Sequence, residues 1–420
     1  MIDPVKVRQH FPALQPRSAG TAVPVFFDNP AGTQIAAEAL ARINDYLVLR
    51  NANHGGVFRA SRESDAMVAE TRAAAAAFLG AAGPREISFG QNMTSLTLHL
   101  SRSIARELKE GDEIVVTRLD HDANISPWLL IARDRGCTVR WVDFDPSDCS
   151  WSAEDLARQV TSRTRLVAVG YASNATGTVN PVAAAAKIAH QAGAWCFVDA
   201  VHYAPHGPID VAALGCDFLV CSAYKFFGPH TGVLWGRPEL MERLSAYKVR
   251  PAGDAAPDKW ETGTQSFESI AGVLGALDYL GWVGKTFGAP QPADGGDSSA
   301  VLLRAAMAEI RSCECGLSTA MLEGLSSIKG LRIYGITEAS RMHDRVPTYA
   351  FTLPGVTPNS ICEELDRQGI SAWDGNYYAP EVTTRLGLEG KGGMVRVGAV
   401  HYTTTGEIER LVAAVASLAK

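Results

Sequence analysis

Between residues 85 and 237, seven short apolar runs alternate with helix-like stretches, and this alternation restricts the fold more than any other feature of the chain. The runs are "EISFG", "DEIVVTRLD", "TVRWVDFD", "RLVAVGYAS", "AWCFVDA", "DFLVCSA" and "GVLWGR", rich in Val, Ile, Phe and Trp and short enough for strands. Several are separated by helical patterns such as "LTLHLSRSIARELKEGD" and "AAAAKIAHQAGA", each closed by a glycine. Strands that are apolar almost throughout need cover on both faces, so the pattern predicts a mostly parallel seven-stranded sheet between helices.

Beyond this region, "GAPQPADGGDSSA" (288–300) is a breaker-rich loop or linker. A long helix follows over about 300–328, then the strand-like runs "LRIYGI", "TYAFTLP" and "GMVRVGAVHY" and a closing amphipathic helix, "TTGEIERLVAAVASLAK". The expected organisation is a large α/β domain over 20–287 and a smaller α+β domain made from 1–19 and 301–420.

A formal net charge of −6 without a block of like charges argues against a nucleic-acid partner. No apolar stretch approaches the ~18–20 residues of a membrane span. The opening "MIDPVKVRQHFPAL" places charges where a signal peptide needs its apolar core. The eight cysteines are scattered, with no C-x-x-C pair. Cys313 and Cys315 fall on different faces of a helical pattern, so a zinc or redox site is not expected and reduced thiols in the cytoplasm are.

In an open α/β sheet the ligand crevice lies beyond the carboxyl ends of the strands, so the residues that follow each strand matter most. His121 follows "DEIVVTRLD", Asn174 follows "RLVAVGYAS", and Asp199 ends "AWCFV" with His202 just after. Ser222, Tyr224 and Lys225 follow "DFLVC", and "QNMTS" after "EISFG" opens a helix whose free amides suit a phosphate. Each has an ordinary alternative: Asp199 as a helix cap, His121 as a loop histidine, Asn174 as a turn residue, Lys225 snorkelling from the core rim. Their shared place at strand ends sets a common chemistry beside those separate roles. A desolvated lysine is a Schiff-base nucleophile because burial frees its lone pair. Pyridoxal phosphate needs that lysine, a carboxylate for its pyridine nitrogen, a phosphate cradle and a flat group on its ring.

Here "VDAVH…DFLVCSAYKFFGPHTG", with "FFDNPAGTQ", "NANHGG" and "MVRVGAVHY", resembles the class V aminotransferase family of fold type I pyridoxal-phosphate enzymes. Within that family the chain is most similar to cysteine desulfurases and selenocysteine lyases. The resemblance covers nearly the whole chain. It implies that Lys225 forms the Schiff base and then shuttles protons, Asp199 pairs with the pyridine nitrogen, and His121 stacks on the ring. It places Asn174 and His202 near the ring oxygen, where His202 replaces the family's usual Gln. Thr94, the Met93 amide, Ser222 and Tyr224 would hold the phosphate, with Tyr224 replacing a frequent histidine. "ETGTQ" nominates Thr264 to reach the phosphate of a neighbouring subunit, implying a homodimer, and Arg396 would fix the substrate's α-carboxylate.

The resemblance breaks at one loop. Desulfurases of this group carry a nucleophilic cysteine ahead of the final strands; here "SAWDGNYYAPEV" (371–382) places Tyr378 at the matching position. Cys362 lies in a helical pattern before the loop, and Cys221 ends a strand, where packing is its expected role. A phenol cannot carry a persulfide. Tyr377 or Tyr378 either donates a hydrogen bond or proton to the substrate, or packs the loop. The expected activity is therefore a cysteine desulfurase-like lyase acting on an amino acid by β-elimination or C–S or C–Se cleavage. Aminotransfer or epimerisation uses the same residues, and a silent cofactor-binding protein is the third alternative.

Overall fold

A computed structural model describes residues 2–16, 23–289 and 298–419. The expected boundary at 19/20 and most of the expected linker (290–297) lie outside the described residues. A short helix, Pro4–Arg8, precedes a short strand, β1 (Val25–Phe26), and the chain then builds a seven-stranded sheet. Its strands are β2 (Ile87–Gly90), β3 (Glu113–Thr117), β4 (Thr138–Val142), β5 (Thr164–Gly170), β6 (Trp195–Asp199), β7 (Phe218–Ser222) and β8 (Gly232–Gly236), one for each apolar run. The order across the sheet is β2-β8-β7-β6-β5-β3-β4. Pairings from β7 through β4 are parallel, and β8 lies antiparallel to both β7 and β2.

The two-residue strand period divides each central strand between two cores. Val115, Val198, Leu219 and Cys221 join one, while Ile114, Val116, Phe197, Phe218 and Val220 join the other. Each Val, Leu or Phe so buried contributes about 1.5–3 kcal/mol. This two-sided burial explains why the strands read as unbroken apolar runs. Helix Met93–Ala105 packs in the second core through Leu96, Leu100 and Ile104. It ends at Ala105, well ahead of Gly111; helix Val182–Gln191, by contrast, is followed closely by Gly193 at φ +72°.

The long helix Ser299–Ser326 leads to a four-stranded antiparallel sheet ordered β12-β13-β10-β9. Its members are β9 (Arg332–Tyr334), β10 (Thr348–Thr352), β12 (Trp373–Gly375) and β13 (Met394–Gly398). Tyr349, Phe351, Val395 and Val397 form its core with Leu325, Leu411 and Val415 from the covering helices. Between β10 and β12, β11 (Ile370–Ser371) pairs in parallel with β1 as a separate two-stranded sheet, and Asp28, just after β1, bridges Gly398 of β13. The strands β1, β11 and β12 are two or three residues long, too short for a periodic signal in sequence.

Candidate active site

The carboxyl ends of β3, β5, β6 and β7 share one edge of the large sheet. Asp199 is in register with Gly170 of β5 and Val220 of β7. The chain passes from β3 outward to β4 and returns to β5 on the other side of β3, the topological switch at which such sheets hold ligands. A cavity of about 600 Å³ opens there. Met93, Thr94, His121, Asn174, Asp199, His202, Ser222, Tyr224 and Lys225, nine of the residues singled out from sequence, all line it.

Lys225 sits in the short turn that follows β7, and its Nζ donates to the Pro30 carbonyl. Burial, reinforced by Arg396, lowers its pKa to about 7 against the opposing pull of Asp28 and Asp199. At neutral pH a large share of this amine is therefore uncharged. Asp199 lies at the end of β6 with Oδ1 accepting from the Val201 amide at 2.9 Å. Its carboxyl is pushed up to about 6 by burial, partly offset by that amide and by Lys225. Residues 201–206 form turns rather than a helix, so Asp199 caps no helix; its side chain holds the local backbone and lines the cavity.

His121 caps the turn Asp122–Asn124, its Nδ1 accepting from the Ala123 amide at 3.0 Å. That bond leaves the hydrogen on Nε2. Burial, with Lys225 and Arg396 nearby, lowers the imidazole to about 4, so it is neutral at physiological pH. His202 is likewise held well below its ordinary range, chiefly by burial, and its Nε2 lies 3.0 Å from Thr348 Oγ1. At the opposite wall, Ser222 Oγ accepts from the Met93 amide at 2.9 Å. Tyr224 stacks on His230, with centroids 4.9 Å apart.

Arg396, on β13, stands behind the cavity wall. One Nη donates to the Asn174 carbonyl at 2.9 Å, the other lies 3.9 Å from Asp28 Oδ1, and the Tyr377 ring lies 4.4 Å from the guanidinium carbon. The Arg396 Nε, Asn174 Oδ1 and Asp28 Oδ1 are buried without a hydrogen-bond partner among the described residues. Of these, the Arg396 Nε is a donor and the two oxygens are acceptors. Thr264 lines other cavities, one of which shares Asn92, Ser95 and His230 with the Lys225 cavity.

Three site residues were not singled out from sequence. Asp28, raised to about 6 by burial, faces both Arg396 and Lys225. Asp120 accepts from the Gly170 amide, Thr117 and Asn124, and burial raises it to about 7. Gly170 allows this approach, because a Cβ there would meet Asp120 Oδ1 at 2.9 Å. Each had a signal in sequence: His230 lies within the "GPHTG" of the lysine motif, Asp28 within "FFDNPAGTQ", and Asp120 ends "DEIVVTRLD" directly before His121.

The loop between β12 and the helix Pro380–Arg385 carries Tyr377 and Tyr378 at φ +56° and +57°. The Tyr377 carbonyl accepts from Asn174 Nδ2 at 2.8 Å and the Tyr378 carbonyl from the Asp122 amide at 2.7 Å. Tyr377 is buried and its hydroxyl donates to the Met394 carbonyl, whereas Tyr378 is 73% exposed. Cys362, on helix Pro358–Arg367, packs near Asp374, and burial pushes its thiol up to about 12. It is a poor thiolate nucleophile.

With this geometry, the comparisons define the class. The model of the aminotransferase class-V family matches residues 25–287 and 297–411, and the chain belongs to that family. It is accordingly a pyridoxal-phosphate-dependent enzyme. An aminotransferase-like protein of Gibberella zeae is 33% identical, the match covering 97% of this chain and 96% of that one. A probable cysteine desulfurase of Streptomyces coelicolor is 31% identical over 98% and 96%. Among solved structures, the apo cysteine desulfurase of Thermococcus onnurineus superposes with a TM-score of 0.87 at 25% identity, covering 100% of this chain and 98% of that one. The Escherichia coli cysteine desulfurase CsdA superposes at 0.82 and 26% identity, covering 99% and 98%.

Proposed function

We propose that the protein is a homodimeric, cytoplasmic lyase that binds an amino acid at the Lys225 cavity and breaks a bond at its β-carbon, of the C–S or C–Se type, without a loop persulfide. The observation that carries this reading is the pairing of Lys225 and Asp199 on one cavity, with Arg396 and its orphaned neighbours behind it. When bound, pyridoxal phosphate supplies an electron sink for negative charge at the substrate's α-carbon.

Lys225 would hold the cofactor and would serve as base and acid for the substrate's α-proton, a task suited to an amine with a pKa of about 7. Asp199 holds the ring nitrogen, and neutral His121 offers a flat face to the ring. Asn174 and His202 serve the ring oxygen. Thr94, the Met93 amide, Ser222 and Tyr224 hold the phosphate, joined by Thr264 from a second copy of the chain. The Met93–Ser222 hydrogen bond keeps two of these groups together in the meantime. Arg396 binds the α-carboxylate, and Tyr378 borders the substrate side chain.

The high Cys362 pKa and the tyrosines at 377 and 378 favour elimination over sulfur transfer through an enzyme persulfide. Similarity to the aminotransferase-like relative supports a second reading, aminotransfer at the same residues. Purified holoenzyme incubated with a broad amino-acid panel separates them. The lyase releases ammonia and pyruvate, or alanine with sulfur or selenium. An aminotransferase forms a keto acid only when a second keto acid is supplied. Unchanged amino-acid levels across the panel would overturn both.

A further inference from the structure

We propose that His230 is a further binding residue of this site, its imidazole donating to the phosphate group of pyridoxal phosphate beside the helix Met93–Ala105. The inference rests on the cofactor reading above and adds a contact from outside the set already assigned to the phosphate.

Hydrogen-bond accounting at the start of that helix shows which donors are committed. The Met93 amide donates to Ser222 Oγ at 2.9 Å, the Ser95 amide to Asn92 Oδ1 at 2.9 Å, and the Leu96 amide to the Asn92 carbonyl at 3.2 Å. Thr94 is left, with neither its amide nor its hydroxyl partnered among the described residues. A phosphate monoester carries three acceptor oxygens and gains from each further donor aimed at it.

His230 is placed to supply one. It follows Lys225 in the hairpin between β7 and β8, whose arms are joined by the Ser222–Gly232 pairing and by the Ala223 amide on the Thr231 carbonyl at 2.8 Å. A Cβ at Gly232 would meet the Asn92 carbonyl carbon at 2.5 Å, so glycine lets this arm lie directly on the helix cap. His230 accordingly lines the Lys225 cavity together with Asn92, Met93, Thr94 and Ser95. Its ring lies nearly parallel to that of Tyr224, at 13° with centroids 4.9 Å apart. That stack uses a ring face and leaves both nitrogens at the edge, where neither has a hydrogen-bond partner among the described residues. An imidazole carries an N–H in either charge state, and its bond to an anionic oxygen is charge-assisted.

The test compares pyridoxal phosphate with pyridoxal, which lacks the phosphate, as ligands of the full-length protein freed of cofactor. Dissociation constants are read from the absorbance of the bound form. Wild type should prefer pyridoxal phosphate. His230→Phe keeps a ring against Tyr224 and removes the N–H, so it should weaken pyridoxal phosphate roughly tenfold and leave pyridoxal unchanged. His230→Gln restores a donor and should recover part of that loss. Thermal melts of each variant report whether the hairpin stays folded. An unchanged ratio of the two constants in His230→Phe, whether both hold or both rise together, would overturn the proposal and leave the cofactor reading intact. A wild type that binds neither ligand would overturn both.

Discussion

Lys225 and Tyr378 are held by different physics. Lys225 follows a strand buried on both faces, and burial strips charge from its amine. Tyr378 rides on an irregular loop, exposed, in a backbone conformation that its own side chain disfavours. The sheet edge carries chemistry common to a whole family. The loop carries Tyr377 and Tyr378, both with left-handed backbone. Loops vary more readily than the strands they connect.

The comparison is sharpest where loss of a buried charge should disable the sheet side. Asp199→Ala is expected to lower turnover by roughly 10²–10³-fold and to weaken cofactor retention; steady-state kinetics and dialysis measure both. Lys225→Met should make the cofactor-free protein more stable by a few kcal/mol, because the native fold pays to bury that amine. The sign follows from the shift. The folded-state pKa, about 7, lies below the ordinary 10.5, so the unfolded chain binds more protons in between. The gain from Lys225→Met is then full below pH 7 and fades toward pH 10.5, as denaturant melts across that range will register.

Arg396→Ala should cost about a hundredfold in kcat/KM, mostly through KM, by removing the charged partner of the α-carboxylate. On the loop side the effects are smaller. Tyr378→Gly relieves one left-handed residue and should raise stability by about 1 kcal/mol, seen as a higher Tm. Cys362→Ser should leave turnover unchanged; a loss of desulfuration in that variant would assign a sulfur-carrying role to Cys362 and erase the contrast between the two sides.

The same contrast explains what could be read from the sequence. Each strand of the large sheet announces itself as a short run of Val, Ile, Phe and Trp, because two-sided burial leaves little room for polar residues. Strand ends are fixed once strands are known, so His121, Asn174, Asp199 and Lys225 could be gathered in advance. Asp28 lies within "FFDNPAGTQ" but follows no strand of the large sheet, and it approaches Lys225 and Arg396 through a tertiary contact. Strands β1, β11 and β12 are too short for periodicity and are stabilised by their neighbours. The left-handed backbone of Tyr377 and Tyr378 runs against local preference, and local preference is all that a sequence reading can weigh at a loop.

The central claim is that Lys225 is the residue through which pyridoxal phosphate is held and the reaction begins. The most direct measurement is the visible absorption spectrum of wild type and Lys225→Ala, each reconstituted with pyridoxal phosphate and freed of excess. The account predicts a lysine-linked band in wild type that is missing from Lys225→Ala until an amine is added. The same band in untreated Lys225→Ala would contradict it.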